Sequence, residues 1–475
     1  MKLISSSRIR GLVLMLMMLM CVIAQGRVGG AGGHGGGGHS SGSHSSHSSS
    51  HSSYSHSYSS HSYGGGGGGG SIGTGAIVVI IVVLVILYLV IRAAKANNSA
   101  ASDESYAMPE SQPFPEGLDE QKISTAFMAI QDAWQRQDLA GVRRWLSDGM
   151  YQRLTLQIQM MRILGQKNLM KNIQVGGISI ASSRVSGNYQ TVEVAIAFSM
   201  DDSFISNKYP QFNEEYTGDS AIEYWTFIKR TDAEGGKDLY ANGNCPNCGA
   251  TFEVKMGEIC RCSNCNTMTN SAAYDWILSE ITQSDDFTGG AGMAYDAHLK
   301  ELTQNDPFFA VQRMEDIASN VFVQVMECIT SGNKKRLHFF ADEQAVAQVE
   351  TSMNNRRFVF DRFYINSTTI SSYMTANGML QLDFNITATY RRADLNGGLR
   401  MLDNDFVTSG FWLQLSRNVD AIALPAEVAY SYECSNCGAP FEDTTQATCT
   451  YCDSPVVDKK RNWVLTGINL DQLFA

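Results

Sequence analysis

The sequence predicts an α+β protein made of one unit written twice, each unit holding a four-cysteine metal ribbon, with a single transmembrane helix ahead of both. Three observations carry this reading. Cysteine pairs recur in two matched sets, each half changes from helical to strand periodicity, and one uncharged apolar run of bilayer length lies near the start. At 475 residues the chain has room for two or three domains with cores of their own.

Residues 1–24 read as a signal peptide. Lys2, Arg8 and Arg10 precede an apolar run over 12–23, and Val22 and Ala24 suit a cleavage site. Residues 25–71 are a Gly/Ser/His-rich tract that holds seven of the nine histidines and nothing able to bury a core, so it is expected to be disordered. Residues 72–91 are apolar and uncharged, long enough to cross a bilayer as one helix. Arg92 and Lys95 follow at once, which by the positive-inside rule puts everything after them in the cytoplasm and the histidine tract outside. Residues 92–117, with Pro109, Pro113 and Pro115, form a linker. The expected location is the inner membrane, single-pass after signal cleavage, with the bilayer itself as one partner.

Charge divides the chain. The first 95 residues hold six of the 36 basic residues and no acid, which leaves 30 basic against 47 acidic residues in the remainder, a net of −17. Phosphate backbones repel such a body, so nucleic acid is not an expected partner.

The metal reading rests on Cys245, Cys248, Cys262 and Cys265, and again on Cys434, Cys437, Cys449 and Cys452. Two C-x2-C pairs at this separation have the spacing of a tetrahedral four-thiolate zinc site. Gly249 and Gly438 follow the second cysteine of each first pair, where a tight turn needs a residue tolerant of positive φ. Four thiolates complete the tetrahedron, so two structural zinc ions are expected and no catalytic one. The rival for the same eight residues is a set of disulfides. Cys260 is a spare thiol beside the first set, and Cys328 lies in an apolar helical pattern.

Around the ribbons the two halves match. Ile123, Phe127, Ile130 and Trp134 step along one helical face, and a second helix is expected from Asp138-Leu139 with Val142, Trp145 and Leu146. In the second half Asp306-Pro307 predicts a helix start, Phe322, Val325, Cys328 and Ile329 continue the helix, and Leu337, Phe339 and Phe340 match the second helix. Val192, Val194, Ile196, Phe198 and Met200 alternate with other residues, as do Leu380, Leu382, Phe384 and Ile386, which predicts half-buried antiparallel strands. Trp225 and Trp412 precede the two ribbons, and Trp276-Ile277-Leu278 and Trp463-Val464-Leu465 supply a last strand after each. The domains are then 118–283 with ribbon 245–265 and 305–475 with ribbon 434–452, joined by a linker over 284–304.

Phe127-x2-Ile-Gln-x-Ala-Trp, Asp138-Leu, Trp145-Leu-Ser-Asp, Asp306-Pro-Phe-Phe and the Phe322 helix together resemble a Tim44-like domain. With the leader, the Gly/Ser/His tract and the ribbons, the chain is similar to bacterial membrane proteins labelled zinc-ribbon transport proteins. The resemblance covers about residues 118–475, twice. It implies cone-like domains, helices packed in a curved sheet as in the nuclear-transport-factor-two superfamily, and non-catalytic work at a membrane face. The implied function is a membrane-anchored binding or scaffold protein that assists protein transport or membrane-protein assembly, with other membrane or transported proteins as partners. The mitochondrial presequence-translocase motor anchor, which carries the same domain, lacks the ribbons, the membrane helix and the duplication.

Two alternatives belong beside this reading. One is a ligand-binding or enzymatic cavity, for which Asp132, Asp148, Tyr151, Asp342, Asp383 and Tyr390 have suitable chemistry, though spacing pairs none of them. The other is an envelope metal or pH sensor working through the histidine tract. After residue 91 no GxSxG, phosphate-cradling glycine loop or HExxH is present. Met150, Met160, Met161 and Met170 would line an adaptable groove or, more simply, pack in a core.

Overall fold

A computed structural model describes residues 24–27, 30–33, 108–233, 237–241, 243–252, 257–287, 297–306, 308–421, 433–434, 436–441, 447–457 and 463–475. The elements below belong to one compact unit, which excludes residues 35–107. The expected membrane helix at 72–91 and nearly all of the signal peptide lie outside the described residues. Among those described, no helix is long and apolar enough to cross a membrane. Within the tract expected to be disordered, β1 (Ala24–Arg27) and β2 (Gly30–Gly33) pair as an antiparallel ribbon.

Helix α1 (Glu120–Gln135) begins where Asp119 accepts a 2.7 Å hydrogen bond from the Lys122 N–H, a side-chain cap on an otherwise unpaired donor. Its expected face, Ile123, Phe127, Ile130 and Trp134, is buried. The helix expected from Asp138 is instead a single 3-10 turn, Arg143–Trp145, because Asp138 closes a local turn onto the Ala140 N–H. The second α-helix, α2 (Asp148–Leu164), starts three residues after that turn, capped by Ser147, and ends at Gly165 with φ +63°.

Four antiparallel strands follow in the order β3 (Gln166–Ser186), β4 (Tyr189–Ser206), β5 (Glu214–Arg230) and β6 (Ile277–Gln283). The first ribbon is inserted between β5 and β6.

The second half runs through the same sequence of elements. Within the expected linker lies α3 (Ala297–Asn305). Then come α4 (Val311–Ser331), a 3-10 stretch Lys334–Phe339, and α5 (Glu343–Met353), capped by Asp342. The sheet is ordered β7 (Phe358–Ala376), β8 (Met379–Asp394), β10 (Val407–Asn418), β11 (Val464–Asn469), with β9 (Arg400–Met401) paired to β8. A last turn, α6 (Asp471–Phe474), closes the chain. Asp306 does not start α4. It turns onto the Phe308 N–H and pairs with Arg417, and the helix begins at Val311 without a side-chain cap.

The first two strands of each sheet explain its curvature. β3 and β7 are 21 and 19 residues long, and each shifts register against its neighbour three times. Every such bulge adds an unpaired residue and bends the strand. The first bulge of each carries a non-glycine residue in the left-handed region, Asn172 at φ +53° and Arg362 at φ +51°.

Helix α2 joins the halves. Met150, Leu154, Ile158 and Met161 face the first core, while Leu156, Met160 and Leu164 enter the second. A helix with apolar residues on two faces is buried on both. The methionines are therefore core. Met170, on β3, is also buried.

Trp412 departs from its expected counterpart. Trp225 is fully buried, but Trp412 is 37% exposed on the outer face of β10, and Phe411 and Leu413 point inward. The outer position suits it because Gly467 on β11 leaves a flat surface for the indole, whose ring atoms stand 2.8 and 2.9 Å from where a Cβ would be.

Candidate metal centres

Each ribbon is a pair of short hairpins tipped by a C-x2-C turn. In the first, the N–H of Gly249 bonds to the Cys245 carbonyl and that of Asn266 to the Cys262 carbonyl, both at 2.9 Å. Gly438 on Cys434 and Asp453 on Cys449 repeat this in the second, again at 2.9 Å. All four residues after the turn have positive φ: Gly249 +75°, Asn266 +59°, Gly438 +72° and Asp453 +57°. The two glycines were legible from the sequence. Asn266 and Asp453 were not, although Asn and Asp are the side chains that best tolerate this conformation.

The turns bring each set of four sulfurs within 4.8 Å of one another. The Cys245–Cys265 and Cys248–Cys262 sulfurs are 3.7 Å apart, the Cys434–Cys452 pair 3.5 Å and the Cys437–Cys449 pair 3.7 Å. A disulfide needs about 2.05 Å, and all eight thiols are free. A tetrahedron with metal–sulfur bonds of about 2.3 Å has edges of about 3.8 Å. The donor sets fit a four-thiolate metal ion.

Further donors favour the thiolate forms of Cys248, Cys265 and Cys452, whereas Cys245, chiefly by burial, and Cys437, by the sulfurs beside it, are pushed up to about 12. Asn247 offers its amide to the Cys265 sulfur at 3.5 Å, Asn264 to Cys248 at 3.3 Å, and Asn436 to Cys452 at 3.6 Å. Hydrogen bonding by Thr267 holds the Cys265 thiol down to about 6, and Ser454 does the same for Cys452. These asparagines sit third in C-P-N-C and C-S-N-C, a recurring position that sequence inspection had passed over.

The first ribbon is tied to both halves. Arg143, with no exposed surface, donates to the carbonyls of Gly257 at 3.0 Å and Glu258 at 2.7 Å, and also pairs with Asp148. Its guanidinium lies 4.4 Å from the Tyr151 ring centroid. Cys260 is buried against Thr269 at 3.2 Å. Across the junction Glu258 pairs with Arg336 of the second half and accepts from Gln152 at 3.1 Å. Ile259 and Met268 pack on the second core, and Arg261 reaches Glu433 at the base of the second ribbon at 3.3 Å. Apart from that ion pair, the second ribbon packs on its own half, with Phe441 edge-on to Phe339 at 5.7 Å.

The residues considered for a catalytic cavity are dispersed. Asp132 pairs with Arg136 at 2.6 Å on the surface, and Asp342 caps α5. Asp383 bonds to Ser372 at 2.6 Å, and the Tyr390 hydroxyl to Ser409 at 2.9 Å. Asp148 and Tyr151 meet only through Arg143, as anchors of the ribbon.

Residues 119–238 match the Tim44-like domain family. No curated protein matches the chain. Among solved structures, an NTF2-like protein involved in plasmid conjugation aligns at 11% identity, covering 59% of this chain and 88% of that one, with a TM-score of 0.14. A score that low adds nothing to the description of the fold given above.

Proposed function

We propose that this protein is a non-catalytic, membrane-anchored binding and scaffold protein that assists protein transport or membrane-protein assembly at the inner membrane. The match of residues 119–238 to the Tim44-like domain carries the reading. The repeated order of helices, bulged meander and inserted ribbon supports a second copy of that domain over 305–475. Both copies are read as cone-like and cytoplasmic, placed by the transmembrane helix at 72–91 after removal of the signal peptide. Membrane lipid and other membrane or transported proteins are its partners.

The two four-thiolate sets hold zinc with a structural role. Each ribbon is too small to bury a core, so metal binding, worth about 10–16 kcal/mol in comparable peptides, is the folding energy of that segment. Contacts of the first ribbon with both halves make it the strut that sets their mutual position.

Native mass spectrometry of protein extracted from its own membrane, with thiols blocked before lysis, tests topology and metal together. Two zinc ions and eight protected thiolates are expected. Loss of paired hydrogens with no metal would place the body in an oxidising compartment and overturn the transport reading. Photo-crosslinking from the exposed surface of α1, at Met128, should capture proteins in transit; a pattern unchanged from that of an unrelated anchored domain counts against it.

A further inference from the structure

A polar cavity of about 70 Å³ opens between the first sheet, α4 and β7. Four carboxylates line it, Glu193, Glu280, Asp286 and Glu315, with Arg184 as the one basic lining residue. Two are already served. Glu193 pairs with Arg184 at 2.8 Å, and Glu280 with Arg153 at 3.4 Å. The other two are not: among the described residues, Glu315 accepts from the Ile370 N–H at 3.3 Å and Asp286 from the Asn366 amide at 2.9 Å, and neither pairs with a cation.

A second observation is independent of this charge. Thr368 lines the same cavity, is only 3% exposed, and its hydroxyl has no hydrogen-bond partner among the described residues. It lies on β7 two residues before Ile370, whose N–H meets Glu315. Phe287, stacked on Tyr224 at 3.6 Å, adds an aromatic wall.

We propose that this cavity binds an organic cation, a primary ammonium or guanidinium head group, between Glu315 and Asp286 and against Phe287. A half-buried carboxylate without an ion-pair partner gains from a cation that brings one, and an aromatic face attracts the same head group. The geometry disfavours a single metal ion. Among the described residues, no three of these carboxylates bring oxygens within 4.8 Å of one another, whereas the three donors of an ammonium or five of a guanidinium reach separated acceptors. The inference does not rest on the scaffold reading.

Protonation gives the site a signature. Burial, reinforced by Glu280, pushes the Glu315 carboxyl up to about 8, and burial also raises Asp286. Arg184 on β3 and Arg153 on α2 oppose the shift at Glu315 without cancelling it. At neutral pH Glu315 therefore keeps its proton, and a bound cation must displace it, so affinity rises with pH.

The test is titration calorimetry of the full chain with n-butylammonium, butylguanidinium and an acetylated Ala-Lys-Ala amide. Saturable binding is expected at pH 8.5, falling by about tenfold or more at pH 6.5. Glu315→Gln should remove that pH dependence and weaken binding about tenfold at pH 8.5, and Asp286→Asn should weaken it similarly. If Glu315→Gln does not melt like the parent, Asp286→Asn carries the test. A peptide binding well above free butylammonium identifies the source as a protein side chain, and equal affinities identify a free amine; both support the assignment. Absence of saturable heat, binding unchanged in the folded variants, or Mg²⁺ or Ca²⁺ excluding butylammonium from these residues would overturn it.

Discussion

The carboxylate of Asp316, on α4, caps the start of α2 from the other half of the molecule and occupies the space a side chain at Gly149 would need. Its Oδ1 accepts the Ser147 hydroxyl at 2.6 Å and its Oδ2 the Gly149 N–H at 3.2 Å. A Cβ at Gly149 would stand 2.5 Å from the Asp316 carbonyl oxygen and nearer still to the carboxylate. Gly149→Ala is therefore expected to destabilise the chain by about 1–3 kcal/mol, read as a lower denaturant midpoint.

The same carboxylate gives stability a pH slope. Burial raises Asp316 from 3.8 to about 7. The folded state thus keeps a proton that the unfolded chain has released, and the contribution of this group falls as pH rises from about 4 to about 7. Asp316→Asn can accept from Gly149 and donate to Ser147 without titrating. Melting against pH should show the variant losing less stability than the parent across that window; parallel curves would refute the assignment.

The ribbons are not equivalent, so their loss should not be. Cys248→Ser is expected to remove one metal ion and to raise hydrogen exchange in α2 and α4, because Arg143 and Arg336 lose Gly257 and Glu258 as partners. Cys437→Ser should remove one metal ion with changes confined to the second half. Equal exchange patterns in the two variants would show that the first ribbon fastens nothing.

Trp412 and Gly467 offer a coupled pair. Gly467→Ala puts a methyl group against the indole and should cost about 1 kcal/mol. Trp412→Ala should recover most of that loss, giving a non-zero coupling in a double-mutant cycle.

Another ionic contact between the halves lies at Arg362. Arg362, 5% exposed, pairs with Glu214 through both guanidinium ends, and lies between the Phe204 and Phe406 rings at 5.0 and 4.9 Å. Glu214 belongs to the first half, and Asp361, beside Arg362, accepts from Gln166 of the first half at 3.1 Å. Arg362→Leu removes the two-ended partner of Glu214, which among the described residues keeps only Tyr216 and, at 3.7 Å, Arg391, while Asp361 keeps Arg391; it should cost about 2–3 kcal/mol, measured by chemical denaturation.

Local patterns made much of this legible. The cysteine spacing gave both ligand sets, and period-two alternation placed β4 and β8, because each signal lies within a few consecutive residues. What stayed hidden depends on partners far along the chain. Nothing near Arg143 announces that it will bond to residues more than a hundred positions away. Asp306 and Asp138 looked like caps because a cap needs only one acceptor, and nearby turns claimed both. The second apolar face of α2 was visible as methionines, but only the presence of the second core shows what it packs on. Trp412 misled because a similar distance from the cysteines, twenty residues for Trp225 and twenty-two for Trp412, does not guarantee the same face once register shifts intervene.

That shared helix has a consequence for synthesis. The residues that cover Leu156, Met160 and Leu164 lie largely beyond position 310, so they leave the ribosome well after the helix does. At about 5–20 residues per second, the apolar face waits for tens of seconds without its cover. Throughout that interval the nascent chain presents a sticky, methionine-bearing surface, and the order of translation itself becomes a hazard that chaperones or prompt completion must contain.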